Sequence, residues 1–133
     1  VNTRWRAHLG HRTLPETTPR QAGRNLARIA SGARLTFYAH YATDHAGHRG
    51  GMEGAVAALE RVDGFLSGIL DRLPDDTRLL VASDHGNVED VTAQHTLNPS
   101  LAVVAGPGAA GGGAGLETIA DVPGSVLEWL RGG

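Results

Sequence analysis

Leu79-Leu80-Val81-Ala82-Ser83-Asp84-His85-Gly86-Asn87 decides how the rest of the chain is read. A short apolar run bounded by turn residues reads as a buried strand. Asp84 and His85 then stand at the strand's carboxyl end, with Gly86 turning the chain. Ligands of open α/β sheets bind outside the carboxyl ends of the strands. Strand neighbours normally point to opposite faces, but where a strand enters a glycine turn both can converge. A carboxylate and an imidazole in that place are candidate ligands for a metal ion.

Two other segments carry matching chemistry. Asp44-His45-Ala46-Gly47-His48 lies upstream, and His95-Thr96-Leu97-Asn98-Pro99 lies downstream. The chain has no cysteine, which removes disulfides, thiolate nucleophiles and thiolate-held zinc or iron–sulfur sites. Any divalent cation must take carboxylate oxygen and imidazole nitrogen. Asp44 and His48 are four apart across a glycine-containing loop, which can fold both side chains back onto one ion. His95 adds an imidazole from the loop before the next strand. Asp44, His48, His95, Asp84 and His85 exceed what one four-coordinate ion needs. Two neighbouring ions are the natural reading, an arrangement characteristic of phosphoryl transfer.

The flanks must bring these segments together. Thr18-Pro19-Arg20-Gln21 reads as a helix start, with Thr18 capping, Pro19 in the first turn and Gln21 completing a capping box. Ala22, Leu26, Ile29 and Ala30 give that helix an apolar face, and Ser31-Gly32 ends it. Leu35 to Ala42 reads as a strand, with Leu35, Phe37, Ala39 and Tyr41 on one face and Thr36, Tyr38 and His40 on the other. It runs into Asp44, and Gly47 to Gly51 reads as a loop. Met52, Ala55, Leu59, Val62, Leu66, Ile69 and Leu73 recur at helical spacing, so Met52 to Leu73 is a long amphipathic helix.

Pro74-Asp75-Asp76 turns the chain into the strand Arg78 to Ser83. Leu101 to Ala105 is a further short strand. Gly106 to Gly115 reads as a flexible surface loop, because it lacks the Lys-Ser/Thr ending of a phosphate-cradling loop. Asp121 to Arg131 reads as an amphipathic helix with Pro123 in its first turn and Gly132 as its stop. Residues Val1 to Pro15 show no clear period and read as irregular, with Trp5 and Leu9 as anchors. His8 and His11 have a spacing that binds metal on a helix, but nothing else there predicts one. Alternating helices and strands imply an α/β fold, a mostly parallel sheet sandwiched by helices in three layers, as a single domain over 1–133.

Composition narrows the function. The 133 residues suffice for one domain with a core, and 41% hydrophobic residues is a globular value. A net charge of −2 argues against nucleic acid or an anionic membrane as partner. No apolar run approaches the roughly 18 residues of a membrane span, and no signal peptide is visible, so a cytoplasmic setting is expected.

Val81-Ala82-Ser83-Asp84-His85-Gly86-Asn87-Val88-Glu89, with His95-Thr96-Leu97-Asn98-Pro99 after it, resembles the alkaline phosphatase superfamily. The closest branch is that of cofactor-independent phosphoglycerate mutase and related metalloenzyme-domain proteins. Thr43-Asp44-His45-Ala46-Gly47-His48 is similar to the family's Asp-x-x-Gly-His segment, and Ile119 to Leu130 is similar to its final helix. The resemblance covers roughly Leu35 to Gly132. It implies that Asp44, His48 and His95 hold one metal, and that Asp84 and His85 bind a second. Zinc or manganese comes first, and magnesium is also admissible. The implied substrate is a phosphorylated small molecule.

In the family an aspartate near the chain start and a Ser or Thr nucleophile complete the second site. Neither stands here in a matching context, and Ser31, Ser67, Ser83, Ser100 and Ser125 do not fit. The chain therefore corresponds to a carboxy-terminal portion of such an enzyme, with an incomplete sheet whose open edge could pair with a second copy. Asn87, Thr96 and Asn98 are candidates to orient the ligands, and Arg49 to contact a phosphate. His45 is expected not to ligate, and His40 to be structural. The alternative to a phosphatase, phosphomutase or related phosphoesterase is a metal-binding module without catalysis. A His-Asp-type phosphohydrolase fits poorly, because here Asp84 precedes His85 and comes after a strand.

Overall fold

The structure, a computed structural model, describes residues 2–112 and 115–132, with the backbone alone of Arg4, Trp5 and Gly112. The expected anchoring by Trp5, and Gly113 and Ala114 of the expected loop, lie outside the described residues. The elements are α1 (Thr3–His8), α2 (Pro19–Ala30), α3 (Ala42–Arg49), α4 (Gly51–Leu70), β1 (Leu79–Ala82), β2 (Ala102–Ala105), α5 (Ala109–Gly112), a 3-10 turn (Ile119–Asp121) and α6 (Val122–Gly132). The chain is a helix-rich α/β protein. It divides into two compact units, one of Val1–Tyr38 with Val56–Pro74, the other of Ala39–Ala55 with Asp75–Gly133. Among the described residues no helix is long and apolar enough to cross a membrane.

The first unit begins with a helix where irregular chain is expected. Polar contacts tie α1 to residues 12–17. Asn2 donates to the Pro15 carbonyl and accepts from the Thr17 amide, and Arg6 pairs with Glu16 at 2.7 Å. The helix stops at His8, so His8 and His11 do not share a helical face. Thr18 caps α2 by accepting from the Gln21 amide at 3.1 Å, as expected. The Gln21 side chain bonds Asn25 instead of reaching back, so only half of the capping box forms.

The buried face of α2 is Gly23 and Ala27, not the larger residues beside them. Ile29 is 62% exposed. Glycine sets this choice. A Cβ on Gly23 would collide with the Phe65 carbonyl, and one on Gly68 with the Arg20 carbonyl. Helix backbones touch there, and bulkier side chains are pushed to the rim. Ala27, Ala58 and Ile69 fill the core beside this contact. Asp71, just past α4, accepts from Arg20 at 2.8 Å through both oxygens and from Arg24 at 2.7 Å.

In the second unit the strand expected over Leu35 to Ala42 does not form. Residues 35–41, which run across the division between the units, join no ladder among the described residues, and α3 begins at Ala42. An alternating pattern only suits a half-buried pleated surface, and strand preference fails without a neighbour to pack on. Phe37 is 89% exposed, and Tyr38 packs on Phe65 of α4 rather than on a strand.

β1 pairs instead with β2, from Leu79 opposite Ala105 to Ala82 opposite Ala102, and the pairing is antiparallel. The expected mostly parallel, three-layer sheet is therefore not seen in this two-stranded sheet. A parallel pair needs a crossover, usually a helix, and 83–101 contains none. The Gly/Ala stretch expected as loop holds the short α5. A capping box of Thr118 and Asp121 starts the last turn and helix. Arg78 lies 4.6 Å over the Trp129 ring and donates to the Pro107 carbonyl at 2.8 Å, which fastens α6 to the sheet.

The units differ in charge. The first holds nine arginines against four carboxylates, and the second three against ten.

Candidate metal centre

All the expected ligands lie in the second unit. Asp44 and His48 are four residues apart on α3, a helix rather than the glycine loop expected. The correction strengthens their convergence, because residues i and i+4 stack on one helical face. Asp84 and His85 follow β1 after Ser83, near the end of the apolar run as expected.

Asp44 Oδ1 is the hub. His48 Nε2 lies 3.2 Å from it, His95 Nε2 3.7 Å and His85 Nε2 3.9 Å. His48 Nε2 and His95 Nε2 are 3.1 Å apart. The donor atoms of Asp44, His48 and His95 all fall within 4.8 Å of one another. His85 stacks on His95, ring centroids 3.8 Å apart, and reaches Asp84 Oδ1 at 3.7 Å. The Asp84 side chain itself stays largely exposed.

Neighbouring groups set which ring nitrogens face inward. His48 Nδ1 lies 2.7 Å from Gln94 Oε1. An amide oxygen only accepts, so Nδ1 donates to it, and in the neutral ring Nε2 then offers its lone pair to the site. The Gly86 carbonyl does the same for His85 Nδ1 at 3.2 Å. Inward lone pairs beside a carboxylate are repulsive without a cation and fit a divalent ion held by nitrogen and oxygen.

Asn87 is 5% exposed and ties the segments together. Its Nδ2 donates to Asp44 Oδ1 at 3.3 Å and to the Gln94 carbonyl at 3.1 Å, and lies 3.3 Å from His48 Nε2. Among the described residues its Oδ1 has no hydrogen-bond partner, and it faces Gly47, where a Cβ would collide with it. Glycine at 47 thus lets α3 close onto Asn87.

Among the described residues the Thr96 and Asn98 side chains make no hydrogen bond to the expected ligands. Both donate to Glu89, Asn98 at 3.1 Å, and Glu89 also accepts the Asn87 amide at 2.6 Å. These donors, the Thr96 hydroxyl first, hold the Glu89 carboxyl down to about 2. Glu89 and Gln94 are the two organising residues that the sequence reading missed. Glu89 was visible two residues after Asn87, and Gln94 immediately before His95, but neither spacing signals a hydrogen bond. Arg49 and His45 line an open basin of about 520 Å3 with Asp44, His48 and Gln94. His40 falls in the segment without a strand.

A family model described as the Metalloenzyme superfamily matches residues 17–131. The chain is 31% identical over 114 residues to a 2,3-bisphosphoglycerate-independent phosphoglycerate mutase of Syntrophotalea carbinolica, covering 79% of this chain and 22% of that one. It is 36% identical over 84 residues to a second such mutase, from Methanosarcina acetivorans, covering 62% and 16%. A phosphopentomutase of Anaeromyxobacter dehalogenans is 35% identical over 86 residues, covering 63% and 22%. The chain thus spans less than a quarter of the length of these relatives. No solved structure matches it. The matched residues run from the cap of α2 to the end of α6 and take in every group gathered around Asp44: the chain belongs to the Metalloenzyme superfamily.

Proposed function

We propose that this chain supplies the metal-binding part of a phosphoryl-transfer enzyme, a phosphomutase or phosphatase that acts on a phosphorylated small molecule. The observation that carries this is the convergence of Asp44, His48 and His95 donor atoms within 4.8 Å. The names of the relatives, phosphoglycerate mutase and phosphopentomutase, support the substrate class. Asp44, His48 and His95 would hold one divalent ion, and Asp84 with His85 a second, zinc or manganese before magnesium. Such ions, when bound, neutralise phosphate oxygens and activate a nucleophile.

The chain's own groups prepare the site. Gln94 and the Gly86 carbonyl fix the imidazole tautomers, and Asn87 orients the Asp44 carboxylate. Thr96 and Asn98 act through Glu89, and Arg49 at the rim is placed to meet an anionic substrate. No nucleophile is assigned. The Ser83 and Thr96 hydroxyls both donate into the fold, to the His85 carbonyl and to Glu89. That observation favours a second reading for the chain by itself, a metal-binding module without turnover.

Elemental analysis of the purified chain beside an Asp44→Ala/His48→Ala variant tests the proposal. About one tightly held ion per chain, lost in the variant, is expected. No ion after incubation with zinc and manganese would sink it. Hydrolysis of an aryl phosphate separates the two readings: turnover abolished by Asp84→Ala would exclude the module, and its absence would favour it.

A further inference from the structure

The first unit carries nine arginines against four carboxylates, and they are gathered rather than spread. Arg20, Arg24 and Arg28 stand four apart along α2, so each neighbouring pair repels. Asp71 relieves the first pair by bonding both guanidiniums. Nothing equivalent relieves the second. Among the described residues Arg28 and Arg72 make no ion pair.

A groove of about 480 Å3 opens at this place, and Arg24, Asn25, Arg28, Ser31 and Arg72 all face it. Among the described residues no carboxylate lines it. A last-turn arginine complements a helix dipole, which accounts for Arg28. It does not account for three arginines lining one groove. That wall is also held in place. The backbones of α2 and α4 meet at Gly23 and Gly68, and Asp71 fixes the Nε and Nη2 of Arg24 at 2.9 and 2.7 Å. The Gln21 side-chain Nε2 donates to Asn25 Oδ1 at 3.0 Å, which leaves the Asn25 Nδ2 to donate.

We infer that this groove binds a small oxyanion of the phosphate type, gripped by Arg28 and Arg72 with Arg24 and Asn25 completing the wall. Planar guanidinium forks match tetrahedral oxyanions by paired N–H donors, and the repulsion among them falls when an anion enters. The site is independent of the metal centre and uses none of its residues.

Titration calorimetry with inorganic phosphate and then pyrophosphate tests this, on chain treated with chelator, at ionic strength fixed with sodium chloride. Saturable one-to-one binding is expected, weakened at least about tenfold in Arg28→Gln/Arg72→Gln. Arg28→Lys keeps the charge but loses the fork, so it should weaken binding by less. Asp44→Ala/His48→Ala should bind phosphate as the parent does, which separates this groove from the metal centre. Amide shifts of Asn25 and Ser31 on phosphate addition locate the site even if the double variant fails to fold. Unchanged affinity in a folded double variant, shifts elsewhere, or a response that chloride reproduces would overturn the inference. An oligonucleotide that binds far more tightly than phosphate, with a steep salt slope, would overturn it in favour of a nucleic-acid surface.

Discussion

The two units are built on opposite plans. The first is helical and basic, and it closes by bringing backbone against backbone at Gly23 and Gly68. The second is acidic and holds together through side-chain hydrogen bonds around Asn87 and Glu89. Steric fit rules one, polar satisfaction the other. A unit closed by contact tolerates charge on its rim, whereas a unit closed by polar bonds can leave donors aimed at a ligand. The candidate metal ligands accordingly collect in the second unit.

Substitution should expose that difference, most of all at the helix contact. Gly23→Val drives a side chain into the Phe65 carbonyl and is expected to cost about 3 kcal/mol, read as a lowered urea midpoint. A near-parent midpoint would mean that the helices part without penalty. In the second unit His95→Ala should spare stability and lower affinity for zinc or manganese by about a hundredfold or more, since removing even a supporting group costs roughly 10–100-fold. Unchanged affinity would remove His95 from the ligand set. Gln94→Ala and Glu89→Gln should each cost about tenfold in affinity, with Glu89→Gln acting only through Asn87, Thr96 and Asn98.

Acid gives the smallest effect and separates the units by pH. Glu89 falls from 4.5 to about 2 on folding. Its stabilising contribution is complete above pH 4.5 and is lost as pH drops through about 2. Asp71, held far below its ordinary 3.8 by Arg20 first and then Arg24, contributes fully above that value and keeps its contribution to lower pH than Glu89 does. Fluorescence and circular dichroism monitored from about pH 5 downward should therefore show Glu89→Gln flattening the early part of the acid transition and Asp71→Asn the later part. Coincident profiles for both variants would show that the units respond to acid as one.

What the sequence made legible was local. The Thr18 cap and the long helix rest on spacings that need no partner, and the structure has both. Asp44, His48 and His95 come together because two are one helical turn apart and the third sits in a loop that Asn87 tethers through the Gln94 carbonyl. What failed was partner-dependent. The alternation over Leu35 to Ala42 does not say which strand it would pair with, and the structure gives it none. Parallel order was inferred from alternation alone, although only a crossover between β1 and β2 could have produced it. The α2 core was assigned to Ala22, Leu26, Ile29 and Ala30 because sequence patterns score apolar side chains, whereas the contact is made by a glycine. Glu89 and Gln94 escaped because their role is to accept hydrogen bonds from groups that the fold, not the spacing, brings near.

The 3.1 Å approach of His48 to His95 joins positions 47 residues apart in a chain without cysteine. An ion coordinated by both would bind the folded chain and not the unfolded one, so its binding free energy would add to stability. Metal would then act as a clasp: stripping the ion should open 75–94 to proteases while the α2–α4 pair and its arginines stay protected.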